Sequence, residues 1–393
     1  MCKRFCRSLS ATAVMALSTM SIVGHAQNAP QTAPPPPPTA IVSGWHAQFT
    51  KWTAPRTPWG DPDIQGNYTA TDEIDTPFER PAAFEGRNLT DITPAEIAAL
   101  NQKQRLEAAA AGHAGGVPTG WYEDEYQKNT RAWHVIDPPD GKLPPLTPAG
   151  AAAVKAGGAS RWTGEADRTR EKERVGFGSR RADQASSFML KGLTPNTYLD
   201  WGLSDRCITR NSPPESMIPG RLGSQVHIVQ TPEFVTMRYE ELRTTRIIPL
   251  KGRSAERPRE PYVLRPYNGD AIAWFEGNTL VVDTIYHDKD LDVMDAPAAK
   301  TRTIERFTRR TNPAGIEYTA TMINPDFWVR PWTFQQILHE DDRGGLIFEY
   351  TCHEHNHSLV DALSGARYEE RREIERKAKA EERAKEAAQS GQR

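Results

Sequence analysis

The feature that most constrains the fold is an alternation of apolar and polar residues that begins near Val226 and continues towards the C-terminus. Side chains on a strand point alternately to the two faces of a sheet, so this period of two is typical of antiparallel strands. Runs such as "QVHIVQ", "NTLVVDTIYH" and "TRTIERF" carry the pattern, and the turn signals "EGN" and "NPAG" predict hairpins. About eight such runs, the last of them "GLIFEYTCHEH", predict a mainly β domain over residues 201–367. The economical architecture is an antiparallel β-barrel or strongly bent sheet, lipocalin-like by analogy.

The chain on either side of this domain has a different composition. Residues 27–44 contain "PPPPP" and predict an extended Pro-rich linker. Residues 45–200 are rich in Pro, Gly and Asp, and predict an irregular wrap over the β domain with short helices, one capped by Thr93 and one beginning at Pro148. Residues 368–393 are dominated by Glu, Lys, Arg and Ala, and predict a charged helical or disordered tail.

Residues 1–26 predict a cleavable export signal. A basic start precedes an uncharged stretch that is too short to span a bilayer, and the small residues Gly24 and Ala26 favour cleavage after Ala26. No later segment reaches the roughly 18 consecutive apolar residues of a membrane helix. We therefore expect a periplasmic or secreted protein without a membrane span. The 49 Lys and Arg residues nearly balance 51 Asp and Glu residues, so nothing favours nucleic acid as a partner.

Two cysteines, Cys207 and Cys352, remain once the signal is removed. In an oxidising compartment an even pair predicts a disulfide bond. The alternative is two buried thiols.

Several short motifs, in this order, resemble a family of exported bacterial proteins. They are "RTPWGDPDIQGNYT", "IDPPDGKLPPLTP", "LSDRC", "HIVQTPEFVTMRYE", "RIIPLKGR", "WFEGNTLVVDT", "ERFTR", "INPDFWVRPW" and "YTCHEHN". The resemblance spans nearly the whole mature chain and implies no particular activity. It implies a cysteine in "LSDRC" and another before "HE", which supports the Cys207–Cys352 bridge. The chain departs from the family pattern at His355, where glycine is usual, and at His357.

The segment "CHEHNH" gathers three histidines. On an extended strand His353, His355 and His357 share one face, where three imidazoles could ligate zinc or copper. The alternative is that the disulfide holds the end of the strand and the histidines are solvated. Because two of the histidines depart from the family pattern, a metal site common to the family is disfavoured.

Two carboxylates on predicted strands are candidates for acid–base catalysis. Glu305 shares a strand face with Phe307, and Asp283 lies on another strand. Inside a barrel, low dielectric would suit either for general acid–base work, with His353 as a third candidate. The alternative is that the carboxylates face water or form structural ion pairs with Arg238, Arg246, Arg306 or Arg330.

The stretch "NPDFWVRPW" places Phe327, Trp328 and Trp332 near Arg330. Such a group could form a platform for a flat ligand, with Arg330 holding an anionic group. It could equally be a corner that plugs one end of the barrel.

Several familiar catalytic motifs are absent from the sequence. It has no Gly-x-Ser-x-Gly, no phosphate-binding glycine loop and no Cys-x-x-Cys. The leading hypothesis is therefore an exported barrel that binds a small apolar or aromatic molecule. The alternatives are a cofactorless lyase, isomerase or hydrolase acting on such a molecule, and a zinc- or copper-dependent enzyme or metal carrier.

Overall fold

The computed structural model describes residues 54–73, 76–110, 131–157, 198, 206–209, 213–218, 225–253, 266–286, 292–311, 314–341, 347–354 and 356–390. The predicted export signal and Pro-rich linker lie outside these ranges. The strands are β1 Gly66–Thr69, β2 Val135–Asp137, β3 Gln225–Gln230, β4 Phe234–Tyr239, β5 Thr245–Pro249, β6 Asp270–Glu276, β7 Thr279–Ile285, β8 Asp292–Val293, β9 Ala296–Pro297, β10 Arg302–Thr311, β11 Ala314–Ile323 and β12 Trp332–Glu340. The α-helices are α1 Pro94–Ala110, α2 Pro148–Gly157 and α3 His357–Ser390.

Nine strands form one nearly closed barrel, which confirms the predicted antiparallel β architecture. The order around the barrel is β5-β4-β3-β1-β12-β11-β10-β7-β6, with antiparallel neighbours throughout. The path returns to β5 through a parallel bridge between Leu250 and Ala273, where the Lys251 N–H donates to the Ala273 carbonyl at 2.8 Å. This bridge brings the two terminal strands of the sheet together at one point.

The strand register decides which side chains enter the lumen, as we call the interior of the barrel. On β10, Glu305 lies opposite Val282 of β7 and Ala320 of β11, and all three are fully buried. The same face carries large apolar side chains, each of which contributes about 1.5–3 kcal/mol when buried. Fully buried examples around the barrel are Tyr68, Ile228, Met237, Leu280, Phe307 and Phe334. The lumen is therefore filled by protein side chains.

Segments outside the barrel strands close its two ends. At the end that holds the β6–β7 turn, which we call the seal end, Ile64 is fully buried and Arg56 donates to Asn278. At the opposite end, residues 213–218 cover the lumen, because the hydroxyl of Tyr286, directly after β7, donates to the Pro213 carbonyl. We call residues 213–218 the plug and this end the plug end.

Both predicted helices of the N-terminal wrap are present. At the start of α1 the Glu96 carboxylate accepts a hydrogen bond from the Thr93 N–H at 2.9 Å, and the Thr93 hydroxyl accepts from the Glu96 N–H at 3.3 Å. This is the predicted capping box. α2 begins at Pro148 as expected. Among the described residues, no helix combines the length and apolar character needed to cross a bilayer.

The prediction of a final strand over "GLIFEYTCHEH" is wrong for the described residues. Residues 347–351 have no regular structure, 352–354 form a turn, and α3 then begins at His357. The backbone carbonyl of Tyr350 accepts a hydrogen bond from the Arg243 guanidinium at 2.9 Å instead of pairing with a strand. The charged tail is part of α3, which is fully exposed from Ile374 to its end.

The predicted disulfide is confirmed. The Sγ atoms of Cys207 and Cys352 lie at bonding distance, with the two Cα atoms 5.8 Å apart. The bridge joins the chain just before the plug to the segment that leads into α3. The Asn356 side chain, at the start of that helix, donates to the Cys207 sulfur at 3.4 Å.

Candidate functional site

A fully buried ion pair crosses the lumen. Arg246, on the inner face of β5, meets Glu305, on the inner face of β10, through two parallel hydrogen bonds. The Nη1–Oε1 distance is 3.1 Å and the Nη2–Oε2 distance is 2.7 Å. The side chains are only 3% and 0% exposed. This two-pronged geometry is the strongest form of an arginine–carboxylate contact.

Three hydroxyl groups form hydrogen bonds with the ion pair. Tyr318 donates to Glu305 Oε1 at 3.0 Å, and the Arg246 guanidinium donates to the hydroxyls of Tyr239 at 3.3 Å and Thr284 at 3.0 Å. We call these five residues the lumen cluster. They come from five strands, β4, β5, β7, β10 and β11, so the barrel wall holds them in place.

The electrostatics fix the protonation states of Arg246, Tyr239 and Tyr318. Burial lowers the pKa of Arg246, but the Glu305 carboxylate, together with Tyr239 and Tyr286, outweighs this effect, so the net pKa is well above its usual value. Burial raises the pKa of Tyr239 to about 12, with Arg246 opposing the shift and Glu305 adding to it. Burial and then the Glu305 charge raise the pKa of Tyr318 well above its ordinary value. The arginine therefore stays charged, and the two tyrosines stay neutral hydrogen-bond donors.

The plug contacts two other inward-facing side chains, Tyr286 and Gln336, through backbone carbonyls. Tyr286 donates to the Pro213 carbonyl and also lies 3.1 Å from the Thr303 hydroxyl. The fully buried Gln336 of β12 donates through its side-chain nitrogen to the Met217 carbonyl. The Met217 side chain is 2% exposed and belongs to the same core as the barrel lining.

Three buried polar atoms of inner-face side chains have no hydrogen-bond partner among the described residues. They are Arg246 Nε, Gln336 Oε1 and Trp332 Nε1. Buried polar atoms are paired in the great majority of cases, so each such group needs an explanation. Arg246 Nε is an unpaired donor at the ion pair. Gln336 Oε1 is an unpaired acceptor beside the plug.

The three predicted catalytic residues do not come together. Asp283 lies opposite Ile304 on the outer face of the sheet, whereas Glu305 faces the lumen. The Asp283 carboxylate pairs with Arg302 at 2.8 and 3.1 Å. His353 is exposed in the turn after the disulfide. Glu305 is thus the one member of the set that faces the lumen.

The strand geometry assumed for the histidine site is wrong. His353 lies in a turn, His357 is the exposed first residue of α3, and His355 lies outside the described residues. His353 and His357 therefore do not share a strand face. In the described ranges, no group of three His, Cys, Asp or Glu side chains has the arrangement of a metal site.

The aromatic residues of "NPDFWVRPW" pack inside the core. Phe327, Trp328 and Trp332 are 2%, 3% and 1% exposed, and the Trp328 and Trp332 ring centroids lie 5.5 Å apart at 81°. The guanidinium of Arg330 is about half exposed and binds both oxygens of Asp137, at 2.9 and 3.0 Å. This arrangement matches the corner alternative more closely than a platform built around Arg330.

Sequence reasoning named Arg246 only as one of four ion-pair partners and missed the hydroxyl groups around it. The signal for Tyr318 was present, because the "IEYTATMI" run alternates and Tyr318 pairs with Phe307 across β10 and β11. Tyr286 and Gln336 had no signal, since their importance depends on the plug, which the sequence separates from β7 and β12 by many residues.

Comparison of the chain with protein-family models, with curated proteins and with solved structures finds no match. The candidate site is therefore defined by its own geometry: a buried, charge-balanced cluster of hydrogen-bonding groups beneath a plug.

Proposed function

We propose that the protein is an exported β-barrel that binds a small, largely apolar or aromatic molecule in its lumen at the plug end, with the lumen cluster as the polar anchor. The observation that carries the proposal is the Arg246–Glu305 pair with its surrounding hydroxyls, held in a largely apolar lumen. Binding sites for small molecules commonly combine an apolar lining with a few convergent polar groups.

Stability alone gives a poor reason for such a cluster. The desolvation of two buried charges offsets most of their attraction, and well-packed apolar residues of similar volume are often as stabilising or more so. The unmatched Arg246 Nε and Gln336 Oε1 add a further cost, because an unpaired buried polar atom costs roughly 1–3 kcal/mol. Recognition of a polar group on a ligand explains why the lumen retains these side chains.

Binding is favoured over acid–base catalysis by the contacts of Glu305. Both carboxylate oxygens already accept hydrogen bonds, from Arg246 and from Tyr318, and these contacts stabilise the ionised form. A general base needs a free lone pair directed at the substrate proton, and these three contacts leave Glu305 only about one of its four lone-pair sites. The other two catalytic candidates, Asp283 and His353, lie outside the lumen.

Export is supported by the N-terminal sequence pattern and by the Cys207–Cys352 bridge, since disulfides persist in oxidising compartments. We expect the mature chain to begin after Ala26 and to function in the periplasm or outside the cell.

The test is titration of the mature protein, purified from a periplasm, with Prodan, an apolar naphthalene dye that carries one ketone and whose fluorescence reports the polarity around it. We expect saturable binding that weakens about ten-fold, or by about 1.4 kcal/mol, in Tyr318→Phe. Tyr368→Phe is the matched control, because Tyr368 is 53% exposed on α3. Absence of saturable binding, or equal weakening in both variants, would refute the proposal. Chromatography of the recovered dye separates a binder, which returns it unchanged, from an enzyme.

A further inference from the structure

The plug interacts with the lumen in the way a ligand would. Its two described backbone contacts to the lumen are carbonyl oxygens, of Pro213 and Met217, that accept from the inward-facing donors Tyr286 and Gln336. Its Met217 side chain is 2% exposed and fills space in the same core, and Pro213 and Pro214 are also buried. A polar acceptor and an apolar body are thus supplied by the chain itself.

We propose that the plug occupies the ligand position, and that the ligand is a neutral apolar compound with a carbonyl-type acceptor oxygen that displaces it. This inference rests on the proposed function and names both the ligand class and the step that admits the ligand. The acceptor oxygen takes the place of the Pro213 or Met217 carbonyl, and the apolar body takes the place of the Met217 side chain.

The donor groups select an acceptor. Burial, and then the Glu305 charge, raise the pKa of Tyr286, so its hydroxyl remains protonated and can donate. The Gln336 side-chain nitrogen is a donor at every pH. A ligand that lacks an oxygen acceptor leaves both donors buried without partners, and this loss discriminates strongly between otherwise similar compounds.

The charge balance selects a neutral compound. The Arg246 charge is already matched by Glu305, at 2.7 Å in their closer contact. An anionic ligand would bring a second negative charge into the lumen, where the described part of the cluster offers no second cation, and an unpaired buried charge is costly. A ketone, ester or amide provides the acceptor without that charge.

The plug can leave as a unit. The Met217 N–H donates to the Pro214 carbonyl at 2.9 Å and the Ile218 N–H to the Glu215 carbonyl at 3.0 Å, so both bonds lie within the segment and neither ties it to the barrel. The contacts that must break include those with Tyr286, Gln336 and the Met294 N–H, which donates to the Glu215 carboxylate. A ligand carbonyl replaces the first two.

The test compares Prodan with its analogue in which the acyl group is replaced by an alkyl chain, on the full mature protein. Met217→Ala weakens only the closed state, so we expect it to tighten binding of both dyes by about ten-fold or more. Ile64→Ala is the matched control, because Ile64 is as deeply buried at the seal end. That variant should lose stability without a gain in dye affinity.

Tyr286→Phe removes a donor that the plug and a ketone use alike. The variant loses one hydrogen bond to the plug in the closed state and one to the ketone in the bound state, so the two losses offset each other for Prodan. The alkyl dye makes no such hydrogen bond and gains from the loosened plug. We expect the preference for Prodan over the alkyl dye to fall about ten-fold. Saturable binding with no tightening in Met217→Ala, or an unchanged preference in Tyr286→Phe, would overturn the inference and leave the proposed function standing. No saturable binding of either dye to any variant would overturn both.

Discussion

The two ends of the barrel are closed in different ways. At the seal end, the Gln230 side chain accepts from the Ile64 N–H at 2.7 Å and donates to the Pro62 carbonyl at 3.0 Å, so both its polar atoms are satisfied. At the plug end, Gln336 donates to the Met217 carbonyl, and its own oxygen has no hydrogen-bond partner among the described residues. The two glutamines are equally placed on inner faces but unequally paired.

The difference separates a structural closure from an exchangeable one. The segment around Ile64 that closes the seal end continues directly into β1, so it is fixed by the strand that follows it. The plug is held by the nearby Cys207–Cys352 disulfide and by hydrogen bonds to its carbonyls. The buried ion pair in the lumen contributes little net stability. Four predictions, from the largest effect to the smallest, can break or sharpen this contrast.

The largest effect is expected at the ion pair. Glu305→Gln leaves the Arg246 charge buried without its partner, so we expect a loss of about 3–5 kcal/mol in the free energy of unfolding. Urea denaturation measures it. The double variant Arg246→Met/Glu305→Leu should regain most of that stability but fail to bind Prodan. A double variant as unstable as Glu305→Gln would mean that the pair is required for the fold.

The disulfide acts on the plug end. Cys207→Ser/Cys352→Ser removes a crosslink between distant parts of the chain and should lower the free energy of unfolding by about 2–4 kcal/mol. Hydrogen exchange at the Met217 and Ile218 amides should become faster, while the Ile64 amide is unchanged relative to global unfolding. Equal acceleration at both ends would show that the bridge does not act on the plug in particular.

A comparison of Gln230 with Gln336 tests directly how much the hydrogen-bond pairing of a buried glutamine stabilises each end of the barrel. Gln230→Leu leaves the Ile64 N–H and the Pro62 carbonyl without partners and should cost about 1–3 kcal/mol. Gln336→Leu removes the unmatched oxygen together with one donor, so we expect a smaller loss. Thermal denaturation of the two variants, side by side, provides the comparison. A larger loss at Gln336 would place the structural closure at the plug end.

Acid should destabilise the barrel wall independently of both ends. Burial, with the Arg131 charge adding to it and a hydrogen bond with the Gln335 carbonyl opposing it, lowers the pKa of His134 from 6.5 to about 3. The unfolded chain therefore binds a proton that the folded chain does not, and stability falls as the pH drops through this window. The slope should be about 1.4 kcal/mol per pH unit. Melting temperatures of His134→Gln, measured across the window, should show a flatter dependence, and an unchanged slope would assign the effect to another group.

Much of the barrel was predictable because strand alternation is a local signal. The shared face of Glu305 and Phe307 followed from spacing alone, and the "EGN" turn before β7 fits Gly277, whose φ of 61° suits glycine. The direction of that face was not predictable, since a shift of one residue in pairing moves every side chain to the opposite side.

The errors came where long-range contacts override local pattern. "IFEYT" has the composition of a strand, but Arg243 and the disulfide hold this segment away from the barrel sheet. The plug could not be predicted from the sequence for a related reason. Nothing in "PPESMI" indicates that Met217 enters the lumen or that Gln336 reaches its carbonyl, because these contacts exist only after the barrel has closed.

The most direct measurement is hydrogen exchange of the mature protein with and without saturating Prodan, followed at the two ends. If the lumen binds small molecules by displacing the plug, the Met217 and Ile218 amides lose protection in the presence of the dye, while the Ile64 amide keeps its protection. Dye binding that leaves the plug amides as protected as before would contradict a ligand site at the plug end.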